Sequence, residues 1–306
     1  GYNSSSEILP SLQGQQAMFA HDRKLSKKER EAEDRRFTVP QNSPYDNRRI
    51  VTVTASIDGT DMNINRRVDA FGASKDAAGS ILTSDNLLNA YLEYLNRDGV
   101  VADPQMLRKE KKKDKQARME RDADQSKEQA DRLRELTTDY HGSAPKEFKD
   151  YDIIAAGIGV CPDSSAISYS VDYVMDGIVK KAGRNLTLNI GNLIGKQPEI
   201  VPSQRKRLPG DNILLSYPQD NITDISVELP QGYTVPASSL AKLNSKVVNE
   251  AGSFTSTAKI SDGKLLVNVT IELPNVDMPS SHWDKMLAII DAAANFNTLT
   301  LLLEKK

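Results

Sequence analysis

The chain has 306 residues, of which 38% are hydrophobic and 27% charged, and its 40 Lys and Arg nearly balance its 42 Asp and Glu for a formal net charge of −2. This length suits two domains rather than one, a mean hydropathy of −0.51 requires part of the chain to be polar and extended, and the near-neutral balance speaks against a nucleic-acid footprint or an anionic-membrane anchor. One cysteine, Cys161, allows neither an intrachain disulfide nor a Cys-based zinc site, and no apolar run reaches the length of a bilayer span.

Gly1-Tyr2-Asn3-Ser4 shows neither the basic nor the apolar region of a signal peptide and no initiator Met, so the sequence reads as an excised fragment. Residues 1–47 lack periodic apolar pattern and predict an extended arm with a short helix at best, ending in the proline-marked connector Val39–Pro44. Residues 48–71 predict a β-hairpin. Val51, Val53, Ala55 and Ile57 alternate with Thr52, Thr54 and Ser56, Asp58-Gly59 marks the turn, and Met62, Ile64, Arg66 and Val68 alternate again. Residues 73–98 are helical by the spacing of Leu87, Leu88, Tyr91, Leu92 and Leu95, with Ser84 or Asp85 placed as the N-cap. A long charged helix over 104–138 opens at Pro104 and buries little. Strands follow at about 151–160, 166–175, 184–190, 212–217, 222–229, 253–260 and 264–273. An amphipathic helix spans Pro279 to Ala294, with Trp283, Met286, Leu287 and Ile290 on one face, and Leu299 to Leu303 is a final strand.

Cys161, in Gly159-Val160-Cys161-Pro162-Asp163-Ser164, is the most tempting catalytic residue. A thiol nucleophile is activated at a helix N-terminus and needs a His base. The one histidine after it is His282, and the residues that follow Cys161 alternate like a strand, which supplies no helix dipole. A semi-buried cysteine at a strand end is therefore the preferred reading, with a Cys161–His282 hydrolase or acyltransferase as the rival. His21, His141 and His282 form no ligand pair, and no acidic run has calcium-loop spacing, so neither metal nor cofactor is expected. The basic run Lys109, Lys111, Lys112, Lys113 and Lys115 is interrupted by acids and lacks interleaved aromatics, so it reads as a solvated helix face rather than a nucleic-acid site. A charged-helix interaction module is the second alternative. Arg205-Lys206-Arg207 reads as a loop rim, Gly157-Ile158-Gly159 and Gly191 to Gly195 are not phosphate loops, and Trp283 reads as a core anchor.

Several segments carry a family resemblance. Asp224-Ile225-Ser226-Val227-Glu228-Leu229-Pro230-Gln231-Gly232-Tyr233-Thr234-Val235 resembles a strand, Leu-Pro-x-Gly-Tyr, strand signature in the tail of bacterial transglutaminase-like proteins. The strand pair from Phe254 to Leu273, Trp283-Asp284-Lys285-Met286 in a helix, and Leu299 to Lys306 as a last strand continue it. Arg48 to Phe71 resembles the hairpin after that family's catalytic core, and Ser6 to Ala17 the exit from the core. None of the family's catalytic residues has a counterpart here. The resemblance implies the non-catalytic C-terminal region of such a protein, with flanking β-domains of unknown function, in the periplasm or cell envelope.

The sequence therefore predicts an α+β chain dominated by β-sandwich structure: an arm (1–47), a β-domain (48–203) with a helical insertion at about 73–140, and a C-terminal β-domain (204–306) whose one helix packs on a sheet. The expected role is non-catalytic packing on a transglutaminase-like core, with a protein, peptide or glycan as further partner and an open strand edge as one way to bind it.

Overall fold

A computed structural model of the chain describes residues 16–24, 30–38, 43–97, 112–157, 165–206 and 210–306. In chain order its elements begin with β1 (Gln16–Lys24), β2 (Arg30–Thr38), β3 (Arg48–Asp58), β4 (Asp61–Ala70), α1 (Lys75–Gly79), α2 (Ser84–Arg97) and α3 (Lys112–His141). There follow β5 (Glu147–Ala156), β6 (Ile167–Met175), β7 (Val179–Ala182), β8 (Asn185–Leu188), β9 (Ile213–Leu214), β10 (Gln219–Glu228), β11 (Tyr233–Thr234) and α4 (Ala237–Ala241). The chain ends with β12 (Ser245–Asn249), β13 (Gly252–Ser261), β14 (Lys264–Leu273), β15 (Asp277–Met278), α5 (Trp283–Asn297) and β16 (Leu301–Lys305).

The molecule is mixed α+β, as its patterning predicts, with several sheets and the late helix packed on one of them. The principal sheet has eight strands in the order β12-β13-β14-β10-β3-β4-β6-β5. Its strands pair antiparallel except β3 and β10, which run parallel with Ile50 opposite Ile222 and Thr54 opposite Ser226. A four-stranded sheet has the order β11-β16-β8-β7, and β1–β2 and β9–β15 are separate pairs.

Alternation gives the principal sheet two unlike faces. On β3, Val51, Val53 and Ala55 are buried while Thr52 and Thr54 are exposed. The same inward set continues through Ile64 and Val68 on β4, Val171 and Tyr173 on β6, Ile225 and Val227 on β10, and Leu265, Val267 and Val269 on β14. Each Val, Leu or Ile among them, fully buried, contributes about 1.5–3 kcal/mol. Leu133 of α3, Met286, Ile289, Ala293 and Phe296 of α5, and Leu186, Leu188, Leu301 and Leu303 of the smaller sheet complete this core.

Four expectations need correction. The arm at 1–47 contains an antiparallel strand pair, β1–β2, rather than an extended stretch or short helix. The division drawn at 203/204 falls within elements that share one sheet, because β10 of the second segment lies between β14 and β3. The helical segment 73–98 breaks at residues 80–83, and Thr83, not Ser84 or Asp85, caps α2, exchanging hydrogen bonds with Asn86 (Asn86 N to Thr83 Oγ1, 3.2 Å; Thr83 N to Asn86 Oδ1, 3.0 Å). The strand expected to 190 ends at Leu188, since Ile190–Ile194 forms a 3-10 turn. The first residues of the charged helix, 104–111, lie outside the described residues.

Candidate functional site

Many of the outward side chains of the principal sheet are polar. From β14 to β6 they include Asn268 and Thr270, Asp224 and Ser226, Thr52, Thr54 and Ser56, Asn63, Asn65 and Arg67, and Ser170 and Asp172. None of these strand positions is aromatic. Two shallow hollows adjoin on this face and share Ser226. One, of about 260 Å³, is lined by Thr54, Ser56, Asn63, Asn65, Lys149, Asp172, Glu228 and Lys264. The other, of about 420 Å³, is lined by Thr52, Asp224, Thr257, Lys259, Asn268 and the apolar Leu266 and Ala258.

Cross-strand register orders the polar groups. Asp224 and Asn268 stand directly opposite, and Asn268 Nδ2 donates to Asp224 Oδ1 at 2.8 Å. Asn65 and Asp172 form the same pair, with Nδ2 donating to Oδ1 at 2.9 Å. A bulge in β5 at Lys149 turns its ammonium onto Asn63 Oδ1, at 2.8 Å. At one end of the face, burial would raise the Asp69 carboxyl, but hydrogen bonds from Arg67 and Ser168 hold it below the usual carboxylate range. Asp220 is pushed up, by burial and by Glu272 directly opposite it. The face thus offers fixed carboxylates, amides and hydroxyls for hydrogen bonding.

The packed side holds a second polar cluster. Arg66 takes an inward position on β4 and is 1% exposed. Its Nη2 donates to Thr137 Oγ1 at 3.1 Å, its guanidinium lies 4.2 Å from the Tyr140 ring centre, and its Nε has no partner among the described residues. His141, the last residue of α3, bridges Tyr173 OH (2.7 Å) and Asn192 Oδ1 (2.6 Å). Burial pushes the imidazole down to about 4, with Arg66 adding to the effect, and burial raises the Tyr173 phenol. Both are therefore neutral at pH 7, and the cluster ties the end of α3 to the sheet and to the 190–194 turn rather than preparing a proton transfer. The glycines of that turn serve packing. A Cβ on Gly191 would meet Phe296 O at 2.2 Å, and Asn297 Nδ2 donates to Gly191 O (2.8 Å) and Gly195 O (2.9 Å).

Of the residues singled out in the sequence, Cys161 lies outside the described residues, as does the Gly159 of its glycine pair. His282 is half-buried just before α5. Its backbone N donates to Pro279 O, its Nδ1 is buried without a partner among the described residues, and its neighbourhood holds the Lys285–Glu250 ion pair at 2.8 Å. Trp283 anchors α5 as expected, donating from Nε1 to Arg205 O at 2.8 Å, while Arg205 makes a two-pronged ion pair with Asp291. Among the described residues no three His, Cys, Asp or Glu side chains gather as metal ligands, and no helix is long and apolar enough to cross a membrane. Sequence reading missed the amide–carboxylate pairs, whose members lie 44 and 107 residues apart. Compared with known proteins, the chain matches no family, no curated protein and no solved structure.

Proposed function

We propose that this chain is a non-catalytic accessory region that packs on the core of a transglutaminase-like cell-envelope protein, and that its open sheet face is the surface with which it binds a further partner, a protein, peptide or glycan. The observation that carries the reading is the ordering of that face. Two cross-strand pairs, Asp224–Asn268 and Asn65–Asp172, hold donors and acceptors in place beside two adjoining hollows. Groups already fixed before binding lose little conformational freedom on it. The family resemblance supplies the parentage and the periplasmic or envelope location. Its segments are neighbours in space: β3–β4 lies beside β10, and Leu229 to Tyr233 leads from β10 into β11.

The test is to titrate a separately produced bacterial transglutaminase-like catalytic domain, the core the proposal names, with this chain by calorimetry. A complex with Kd below about 100 μM is expected. No heat and no co-elution at that concentration would end the accessory reading. Thiol labelling addresses the rival: Cys161 is expected to react like an ordinary thiol of pKa about 8.5, and rapid labelling below neutral pH would favour the Cys161–His282 enzyme instead.

A further inference from the structure

We infer that the open face of the principal sheet binds a linear, uncharged oligosaccharide laid diagonally across β14, β10, β3, β4 and β6. This rests on the proposal that the face is a ligand surface, and it names the ligand's chemistry. In the pairs Asp224–Asn268 and Asn65–Asp172 the mutual hydrogen bond uses one amide proton and one carboxylate oxygen. The second amide proton and the second carboxylate oxygen remain for a ligand, a donor beside an acceptor. Vicinal hydroxyls, each both donor and acceptor, meet that arrangement in a way that a purely cationic or anionic ligand does not.

The geometry suits an extended chain. Neighbouring strands lie about 4.8 Å apart, close to the rise of one sugar unit in an extended glycan. The two pairs are separated by three strand spacings and a two-residue offset, since Asp224 aligns with Thr52 and Asn65 with Thr54. That places them roughly 16 Å apart before twist, the reach of three to four sugar units. Thr54 and Ser226, directly opposite one another, bridge the interval with hydroxyls. At the Asp224 end, Leu266, which shares the outward face with Ser226, gives the hollow an apolar patch for the C–H side of a ring.

The same observations disfavour other occupants. A protein interface is anchored chiefly by aromatic residues and arginine near its centre, and the centre of this face, Thr54 and Ser226, holds neither. A polyanion meets Asp224 and Asp172, while a basic peptide meets Lys149, Lys259 and Lys264 at the rim. With both signs present and interspersed, an uncharged polyol is the ligand that neither repels.

The experiment is an NMR titration of the ¹⁵N-labelled full chain with cellotetraose, chitotetraose, mannotetraose and maltotetraose, each to about 10 mM, reading the side-chain amides of Asn65 and Asn268. At least one tetraose is expected to move both amides together, with Kd of about 0.1–5 mM. Asp224→Ala, Asp172→Ala and the steric block Thr54→Arg should each weaken that binding about fivefold or more. The inference is overturned if no tetraose moves the two amides, or if the shifts persist unchanged in all three variants. The separately produced transglutaminase-like catalytic domain is titrated in parallel. If it perturbs these amides and no tetraose does, the oligosaccharide falls and the ligand-surface reading stands; if neither does, both fall.

Discussion

The two sides of the principal sheet are built from the same strands by the same alternation, yet they use polar groups in opposite ways. On the packed side Arg66, Thr137, His141, Tyr173 and Asn192 are tied to one another. On the open side Asp224, Asn268, Asn65 and Asp172 are paired but still accessible from solvent. Burial makes the difference. A buried polar group must find partners or cost stability, so its geometry is fixed by folding. An exposed one is held by water in any case, so order there is free to serve binding.

The largest break in this contrast is expected at Arg66. Arg66→Ala leaves a cavity and strips a partner from Thr137 and Tyr140 in the core, and should cost about 3–5 kcal/mol. Arg66→Met, which keeps the volume and removes the buried charge, should cost less than about 1.5 kcal/mol. Urea unfolding of the two variants measures both. Equal losses would mean that the charge itself, not the space it fills, holds α3 to the sheet.

His141 makes the packed side sensitive to acid. Its folded value of about 4 lies below the ordinary 6.5. Between those values the unfolded chain takes up a proton that the native state refuses, so stability is full above about pH 6.5 and falls as pH drops toward 4. The loss from this one group is up to about 3 kcal/mol. His141→Gln should flatten that part of the stability curve relative to the parent, as read from chemical denaturation across the pH series. An unchanged slope would show that the imidazole is not held neutral by the fold.

A smaller effect separates two glycines. Gly191→Ala forces a methyl against the backbone of Phe296 and Asn297 at 2.2 and 2.4 Å, and should cost about 1–3 kcal/mol. Gly79, at the end of α1, has nothing within 4 Å of its would-be Cβ and no positive φ. Gly79→Ala should therefore stabilise by about 0.4–1 kcal/mol. Thermal melts of the pair report the difference in sign.

The packed face was legible in the sequence because period-2 alternation states which side a residue faces. Arg66 already stood in the inward series of the hairpin 48–71. The turns were legible for the same local reason: Asp262 at φ 50° and Gly263 at φ 73° adopt the left-handed conformation that the Asp-Gly pair signals. Alternation does not name the neighbouring strand, however. The parallel pairing of β3 with β10 joins segments about 170 residues apart, and nothing local announces it. The short strands β7 and β12 carry too few apolar residues to reveal a pattern. His141 looked isolated because its partners, Tyr173 and Asn192, arrive from other elements. The candidate site was hidden for the same reason: an amide–carboxylate pair exists only once the register is set.

The smallest expected effects are on the open face, and they sharpen the contrast most. Asp224→Ala removes an exposed carboxylate and one exposed hydrogen bond, and should change stability by no more than about 0.5 kcal/mol. Asp220→Asn removes one of two carboxylates placed directly opposite each other, Asp220 and Glu272, and should stabilise by a few tenths, about 0.2–0.5 kcal/mol. Since burial and Glu272 raise the Asp220 carboxyl, its folded state binds a proton that the unfolded chain has already lost. The gain from Asp220→Asn should therefore be largest above the ordinary carboxylate range and shrink as pH falls toward it. Denaturation at pH 7 and pH 4 tests this directly. A gain that grew on acidification would mean that Arg48, not Glu272, dominates the field at Asp220. A loss above 1 kcal/mol for Asp224→Ala would mean that the pair holds the sheet together rather than dressing its surface, since exposed substitutions stay within about 0.5 kcal/mol.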